Sequence, residues 1–267
     1  MKRNILLFAI ILFIATHATT QTSPRTAEDF VNRGNQFIEE GEFEQAINDF
    51  NEAVRLKPND VEIIISRGEA YELMYNIASI FFDLATALTY LDLAIADYSD
   101  AIFLKPNEAY LYYTRGLLYQ NKRAYNLAIS DYTNALRTEP NNIWTLNNRG
   151  EMYEAIHEYD RAIADYTAAL RIEPNNIRIL NKRANIYYNR EDFDNAIFDW
   201  TNVLQLSRIN NEARNGLMNI YRHRSTRYIN NGEWENALIN LTELIILDPN
   251  NTRTSQLIDE VRQILGH

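Results

Sequence analysis

Small, aromatic and polar side chains recur in a fixed order along most of the chain. In one stretch the order is Arg115, Gly116, Tyr119, Ala128, Tyr132 and Ala135. The same residue types return 34 residues later, beginning at Arg149 and Gly150. Self-similarity at a fixed period of this length is typical of repeat proteins, in which each repeat packs only on its neighbours. Because a bulky ring meets a small residue at every step, the pattern predicts segments that approach each other closely.

The spacing of the prolines gives the length of the repeat. Five of the six prolines mark it, namely Pro58, Pro106, Pro140, Pro174 and Pro249. Two of the four steps between them are 34 residues, and the others are 34 plus 14 and twice 34 plus 7. Seven residues are about two turns of α-helix, so insertions of this size keep the same helix face buried. Each proline is expected to end a helix, with the asparagine after it in the turn.

This pattern resembles the tetratricopeptide repeat, in which a small residue and an aromatic on one helix pack against alanine and an aromatic on a second helix that ends before a proline. The resemblance implies an all-α fold, a right-handed α-α superhelix or solenoid of six helix-pair repeats plus a capping helix at 252–267. The predicted repeats are 27–60, 61–108, 109–142, 143–176, 177–210 and 218–251. The last two match least well, since Arg208 replaces the proline, and Ser225 and Leu241 replace the glycine and the aromatic.

The segment after the last repeat has the pattern of an amphipathic helix from Thr252 to Leu265. Its apolar stripe consists of Leu257, Ile258, Val261, Ile264 and Leu265. Gly266 is expected to cap its C-terminus. A helix here would cover the final repeat, whose apolar side has no further neighbour.

The N-terminal segment has the layout of a secretory signal peptide. Lys2 and Arg3 precede an apolar run from Ile5 to Ala15, and small and polar residues follow. We predict a signal peptide at 1–20 and a short linker at 21–26, with cleavage after Ala18 or Thr20. The apolar run is shorter than the 20 or so residues of a membrane span, so the mature chain is expected to be periplasmic or secreted and to contain no span.

Composition argues against several function classes. The formal charge is −10, from 26 basic and 36 acidic residues, and the basic residues are spread along the chain, which argues against a nucleic-acid partner. No cysteine is present, so thiolate metal sites and thiol nucleophiles are excluded. The four histidines lack metal-ligand spacing, and the sequence contains no phosphate loop or serine elbow. We therefore predict no catalytic residues, no metal, no cofactor and no enzymatic activity.

Arginine stands at the seventh place of every predicted repeat and aspartate at the twenty-third place of the first five. The residues are Arg33, Arg67, Arg115, Arg149, Arg183 and Arg224 with Asp49, Asp97, Asp131, Asp165 and Asp199. They form either an anion-binding ladder or a stack of structural Arg–Asp pairs, and we favour the pairs because a half-buried guanidinium requires a carboxylate. The sixth repeat has Asn240 instead, and the sequence leaves open whether each arginine pairs within its own repeat or with the preceding one.

The resemblance also implies a binding face, because the first helices of this family line a concave groove through the second, fifth, ninth, twelfth and thirteenth places. Here those places hold Tyr110, Tyr113, Gln120, Asn121, Trp144, Asn147, Glu151, Glu154, Arg178, Asn181, Asn185, Tyr188 and Asn189. Asparagine amides donate to and accept from a peptide backbone, and tyrosine and tryptophan supply anchoring area, so the set suits an extended peptide. The alternative is an ordinary solvated helix face.

The 14-residue insertion of the second repeat, near 75–88, is expected to lengthen both helices into a projecting hairpin. Its apolar residues near the tip are Ile77, Ile80, Phe81 and Phe82, and Asp83 is a candidate helix cap. The tip either packs on itself or contacts a partner or a second copy.

These observations favour a protein-binding scaffold that takes a peptide or protein of unknown identity in the concave groove. The alternatives are a self-associating structural module, which would make the chain a homo-oligomer, and an auxiliary subunit of an envelope complex. The lysine and asparagine set with which some relatives clamp a C-terminal carboxylate is not reproduced, since Val31, Ser66 and Thr114 stand at several of its places.

Overall fold

The computed structural model describes residues 26–81 and 84–266, and this part of the chain consists of helices and turns with no strand. The all-α prediction is confirmed. The predicted signal peptide, nearly all of the predicted linker, Phe82, Asp83 and His267 lie outside the described residues. The helices are α1 (Ala27–Glu40), α2 (Phe43–Leu56), α3 (Val61–Phe81), α4 (Leu84–Leu104), α5 (Ala109–Asn121), α6 (Tyr125–Thr138), α7 (Ile143–Ala155), α8 (Tyr159–Ile172), α9 (Ile177–Asn189), α10 (Phe193–Leu206), α11 (Asn211–Asn231), α12 (Trp234–Leu247) and α13 (Thr252–Leu265).

The chain divides into two compact units, one that ends at Lys122 and one that begins at Arg123. In the first unit, α1 to α5 each pack on the next helix in the chain. Its core is built from rings and small residues that face each other, and Phe50, Tyr98 and Leu118 are among its most buried side chains. Removing these apolar surfaces from water is the main favourable contribution to folding, at about 25 cal/mol per Å².

The second unit, α6 to α13, follows the same plan of consecutive helix contacts. Its main core contains Tyr166, Trp200 and Ile220, all at most 2% exposed. A smaller cluster joins α12 to α13 through Leu241, Ile258 and Val261. The predicted stripe of α13 is wrong at one position, because Ile264 is 55% exposed. Gly266 ends α13 in a left-handed conformation, and its amide donates to the carbonyl of Gln263.

Small residues of the first helices receive rings from the second helices. A Cβ atom added to Gly34 would lie 2.9 Å from Phe50, and one added to Gly68 would lie 3.3 Å from Tyr98. The sequence reasoning missed a further contact of this kind, because Gly216 near the start of α11 lies directly against the ring of Trp200 in α10. Helix pairs therefore pack closely both within a repeat and between repeats.

Helix ends follow the proline and asparagine pattern. Five second helices end two residues before a proline, whereas α10 ends at Leu206 without one. Four first helices and α13 begin after an asparagine, and in each case but α5 and α3 the asparagine side chain accepts a hydrogen bond from the backbone amide three residues on. The residues with this contact are Asn142, Asn176, Asn210 and Asn251. They satisfy amides that the first turn of a helix leaves without a partner.

Insertions lengthen helices without changing their packing. Helices α3 and α4 have 21 residues each, and α11 also has 21, compared with 13 in α7 and α9. Because the additions are whole turns, the small residues at the start of each lengthened helix still face the core.

Candidate functional site

The conserved geometry of the repeats includes a bidentate ion pair inside each of four repeats. The Nε and Nη2 atoms of Arg33, Arg67, Arg149 and Arg183 donate to the two carboxylate oxygens of Asp49, Asp97, Asp165 and Asp199 at 2.6–2.9 Å. The aspartates are buried and the arginines half-buried. The structure thus resolves the direction that the sequence left open, because each of these arginines pairs within its own repeat.

The ladder also ties neighbouring repeats together. Arg149 Nη1 donates to Thr133 Oγ1, and Arg183 Nη1 donates to Thr167 Oγ1, in each case on the preceding helix pair. Arg115 donates in the same way to Ser99 Oγ at 2.9 Å, and Asp131 is buried in α6. These guanidinium groups have their donors engaged within the protein, so they are not available as a ladder for a bound anion.

The sixth repeat departs from this geometry. Arg224 donates to the exposed Asp194 of α10 at 2.7 Å, and the amide of the buried Asn240 donates to the carbonyl of Asn236. A neutral amide at the place of the aspartate therefore releases the arginine toward the preceding repeat.

The first helices α7 and α9 of the second unit lie side by side and share a polar network. Glu151 of α7 accepts hydrogen bonds from Asn147, from Arg178 at 2.9 Å and from Lys182. Burial raises the pKa of Glu151, but the hydrogen bonds and the positive charge of Lys182, with those of Asn147 and Arg178, outweigh this and hold its pKa below the ordinary value. The network fixes a negative charge between two positive ones on this face.

Trp144 stands at the edge of the same network and is 67% exposed. A recess beside it is lined by Ile143, Asn147, Glu173, Asn176, Arg178 and Ile179. The indole is held on the first turn of α7, whose cap Asn142 fixes the start of the helix. An exposed indole beside a recess with charged and amide groups at its rim has the composition of a side-chain binding site at a protein interface.

The structure corrects two members of the predicted peptide-binding set. Asn147 is 3% exposed and Asn181 is 6% exposed, so neither can contact a bound peptide. Both stand at the fifth place of their repeats, where the neighbouring first helix covers them. Lys182 covers Asn147 and donates to its amide oxygen at 3.3 Å. This burial depends on a long side chain from the next repeat, so the pattern within one repeat could not reveal it.

The other predicted residues of α9 remain at the surface or close to it. The Asn185 amide donates to Glu212 of α11 at 2.7 Å, Asn189 is exposed, and the half-buried ring of Tyr188 contacts Trp200 and Phe193. In α7, Glu154 accepts a hydrogen bond from the hydroxyl of Tyr166.

Three members of the set lie on α5 in the first unit. Tyr110 is 47% exposed, Tyr113 is half-buried and Asn121 is exposed. Gln120, which lies on the same helix, is half-buried.

The hairpin of α3 and α4 ends in exposed apolar side chains. Ile80, Phe81 and Leu84 are 73%, 77% and 73% exposed, whereas Ile77 is half-buried. Packing of the tip on itself, the alternative that the sequence favoured, is therefore wrong for these three residues.

Within residues 26–81 and 84–266, no three His, Asp or Glu side chains cluster in a way that could hold a metal ion. None of the helices in that part of the chain combines the length and apolar character needed to cross a bilayer.

Comparison with known protein families identifies the repeat. Models described as "TPR repeat" and "Tetratricopeptide repeat" match residues 34–74, 109–142 and 143–176. The chain belongs to the tetratricopeptide-repeat family. Members of this family are typically non-catalytic modules that bind protein partners, and the fold supports a protein–protein interaction scaffold. A search of curated protein sequences found no match.

Solved structures of similar fold are repeat proteins of the same kind. MamA from Desulfovibrio magneticus RS-1, residues 41 to the end, is 18% identical, with a TM-score of 0.57 over 71% of this chain and 99% of that one. YrrB, described as a TPR protein with an unusual peptide-binding site, is 14% identical, with a TM-score of 0.56 over 75% and 94%. A tetratricopeptide repeat protein from Parabacteroides merdae ATCC 43184 is 15% identical, with a TM-score of 0.59 over 88% and 98%.

Proposed function

We propose that this chain is an exported scaffold that binds an extended peptide segment of a partner protein across α7 and α9, with Trp144 as the anchor. The observation that carries the proposal is the exposed indole of Trp144 beside its recess. Tryptophan is enriched among the few residues that supply most of the energy of protein interfaces, because it buries a large area at little cost in side-chain entropy.

The polar groups around Trp144 suit a peptide better than an apolar ligand. Arg178 and Glu151 are held in place by their hydrogen bonds, so their charges are oriented before a ligand arrives. Asn176 at the rim caps α9 through its side-chain oxygen. Such preorganisation lowers the entropic cost of binding. Peptide binding is also a property that this fold can carry, since YrrB is described as having a peptide-binding site.

Affinity capture from an envelope extract tests this proposal. The bait proteins are the wild type, Trp144→Ala and Phe198→Ala, which removes an aromatic side chain that is similarly exposed, at 63%, on the second helix α10. We expect Trp144→Ala to recover its partner at least about tenfold less efficiently, as for a loss of 1.4 kcal/mol or more, and Phe198→Ala to behave as wild type. Equal recovery by all three proteins would remove Trp144 as the anchor.

Export is tested separately by cell fractionation with an antibody to the chain. The layout of residues 1–20 predicts a shortened mature protein outside the cytoplasm. A full-length protein that stays in the cytoplasmic fraction would contradict export and leave the peptide-binding proposal intact.

A second candidate function is self-association through the hairpin tip, favoured by the exposure of Ile80, Phe81 and Leu84. Light scattering after size exclusion provides the test. An oligomer that Ile80→Asp and Phe81→Asp convert to a monomer would support self-association, and a wild-type monomer at all concentrations would oppose it.

A further inference from the structure

The second unit contains an open recess where the C-terminal half of α11 faces the end of α9. Its volume is about 650 Å³, and Tyr188 of α9 lies opposite Arg222, His223, Thr226, Arg227 and Asn230 of α11. The recess exists because α11 has 21 residues and α9 has 13, so that α11 continues past the level at which a first helix of ordinary length ends. The seven added residues of the sixth repeat, which had no role in the sequence analysis, thus produce a surface feature.

The helix that lines this recess is basic, although the chain as a whole has a formal charge of −10. Helix α11 carries Arg214, Arg222, Arg224 and Arg227, and its one acidic residue is Glu212. Glu212 lies at the opposite end of the helix and accepts a hydrogen bond from Asn185. No carboxylate lines the recess.

Two of these arginines differ from those of the ladder in having no acidic partner. Arg222 donates to the Asn219 side-chain oxygen at 3.3 Å, and the Arg227 guanidinium lies 5.9 Å from the centroid of the Tyr228 ring. Neither forms an ion pair with any carboxylate of residues 26–81 or 84–266. Both side chains are exposed. Their forked donors are therefore available to a ligand, unlike those of Arg149 or Arg183.

The recess continues the face that we propose as the peptide site. Asn219, Arg222, Thr226 and Asn230 stand at the second, fifth, ninth and thirteenth places of the sixth repeat, 218–251. These are the places that correspond to Trp144, Asn147, Glu151 and Ala155 in α7. A peptide that crosses α7 and α9 along this face would reach the recess next to Tyr188.

We propose that the recess between α9 and α11 binds the aspartate or glutamate side chains of an acidic peptide segment in the partner protein. This inference rests on the proposed peptide-binding function and adds the chemistry of the ligand. Arg222 and Arg227 pair with carboxylates, while Thr226 and Asn230 provide hydrogen bonds for the peptide backbone. A short acidic segment fits a local positive recess, whereas the net charge of −10 opposes a long polyanion such as a nucleic acid.

Selection from a random peptide library displayed on phage tests the inference with purified mature protein. The baits are the wild type, the double variant Arg222→Gln with Arg227→Gln, and a charge-matched control, Arg137→Gln with Arg171→Gln. Arg137 and Arg171 are exposed residues of the second helices α6 and α8, away from the recess. The three proteins are first shown to melt at the same temperature, which is expected because all four arginines are exposed.

We expect the wild type and the control pair to select peptides enriched in aspartate and glutamate, and the double variant to lose that enrichment. A selected acidic peptide, labelled with a fluorophore, should bind the double variant about tenfold or more weakly than the wild type, since hydrogen bonds to charged groups contribute about 1.5–3 kcal/mol each. Its binding to the wild type should also weaken with added salt.

Three results would overturn the inference. Selected peptides without acidic enrichment would overturn it and leave peptide binding standing. Equal binding of the acidic peptide to the wild type and the double variant would do the same, as would displacement of that peptide by an oligothymidylate at equal concentration, which would indicate a general polyanion site. Selection of no peptide at all would instead contradict the proposed function itself.

Discussion

Gly150 and Tyr166 fit together so closely that a Cβ atom added to the glycine would lie 2.7 Å from the ring atom Cε1 of the tyrosine. Tyr166 is fully buried and cannot move aside without opening the core. We therefore expect Gly150→Ala to lower the free energy of unfolding by about 1–3 kcal/mol, the usual cost of overpacking. Thermal melting followed by circular dichroism measures this.

Gly68→Ala is the matched control for this substitution. A Cβ atom there would have its nearest neighbours at 3.3 Å, in Asp97 and Tyr98, so a small shift suffices. Alanine also has the better helix propensity, by about 1 kcal/mol. Gly68→Ala should therefore melt close to wild type. If Gly150→Ala did so too, the close approach of α7 and α8 would be in doubt.

The Arg183–Asp199 pair is the most buried of the ladder, with Asp199 at 0% exposure. Asp199→Ala leaves the guanidinium without its carboxylate, and we expect it to destabilise the protein by about 3–5 kcal/mol. Urea unfolding is the measurement. The double variant Arg183→Met with Asp199→Leu should be more stable than Asp199→Ala, because no buried charge is left alone. The opposite order would show that the pair is not the reason for the loss.

The lowered pKa of Glu151 gives a pH dependence with a definite sign. Since its folded pKa lies below the ordinary 4.5, the ionised carboxylate contributes stability above that pH and loses the contribution as the pH falls through the folded value. Glu151→Gln should therefore unfold at a lower urea concentration than wild type at neutral pH, and the difference should shrink below about pH 4.5.

Glu235→Gln, a change at an exposed residue of α12, is the control for the pH series. Its unfolding midpoint should follow the wild type at every pH. A gap between Glu151→Gln and wild type that stayed constant down to strongly acidic pH would contradict the role given to the Lys182 and Arg178 contacts.

The turn between the two helices of a repeat stores backbone strain at one place. Arg123, His157 and Glu191 have φ angles of 59°, 62° and 61°, and Gly41 and Gly232 occupy the same place with φ of 79° and 75°. A left-handed conformation costs an ordinary residue about 1–2 kcal/mol, and glycine gives back part of the gain through its greater freedom when unfolded. Glu191→Gly should therefore stabilise the protein by about 0.5–1 kcal/mol.

Thermal melting of Glu191→Gly beside Glu191→Ala separates strain from side-chain loss. Alanine retains the Cβ atom and hence the strain, so it should give no gain. Equal gains from both substitutions would mean that the glutamate side chain, and not its backbone, is the unfavourable element.

The sequence allowed the repeat length, the helix pairs and the packing of small residues against rings to be predicted, because each depends on residues within one repeat. Contacts that cross repeats were harder to foresee. Asn147 lost its predicted role because Lys182 of the next repeat covers it. Gly216 was missed because the insertion shifted the repeat numbering, although it stands 16 residues from Trp200, the same spacing as between Gly150 and Tyr166.

The asparagine caps show a signal that was present and not used. In each Pro-Asn-Asn run the first asparagine was expected in the turn, whereas the second one, such as Asn142 or Asn176, accepts the hydrogen bond that starts the next helix. Preference for asparagine at this place before an apolar run is a known start signal for helices.

The peptide site is best tested by nuclear magnetic resonance on protein labelled with nitrogen-15, titrated with a peptide selected from the library. The chain has three tryptophans, and their indole N–H groups give separate signals. Trp144 is 67% exposed and Trp200 2%. We expect the Trp144 indole signal to shift as the peptide saturates the protein while the Trp200 signal stays in place. A Trp144 signal that does not move at saturation would contradict binding across α7 and α9.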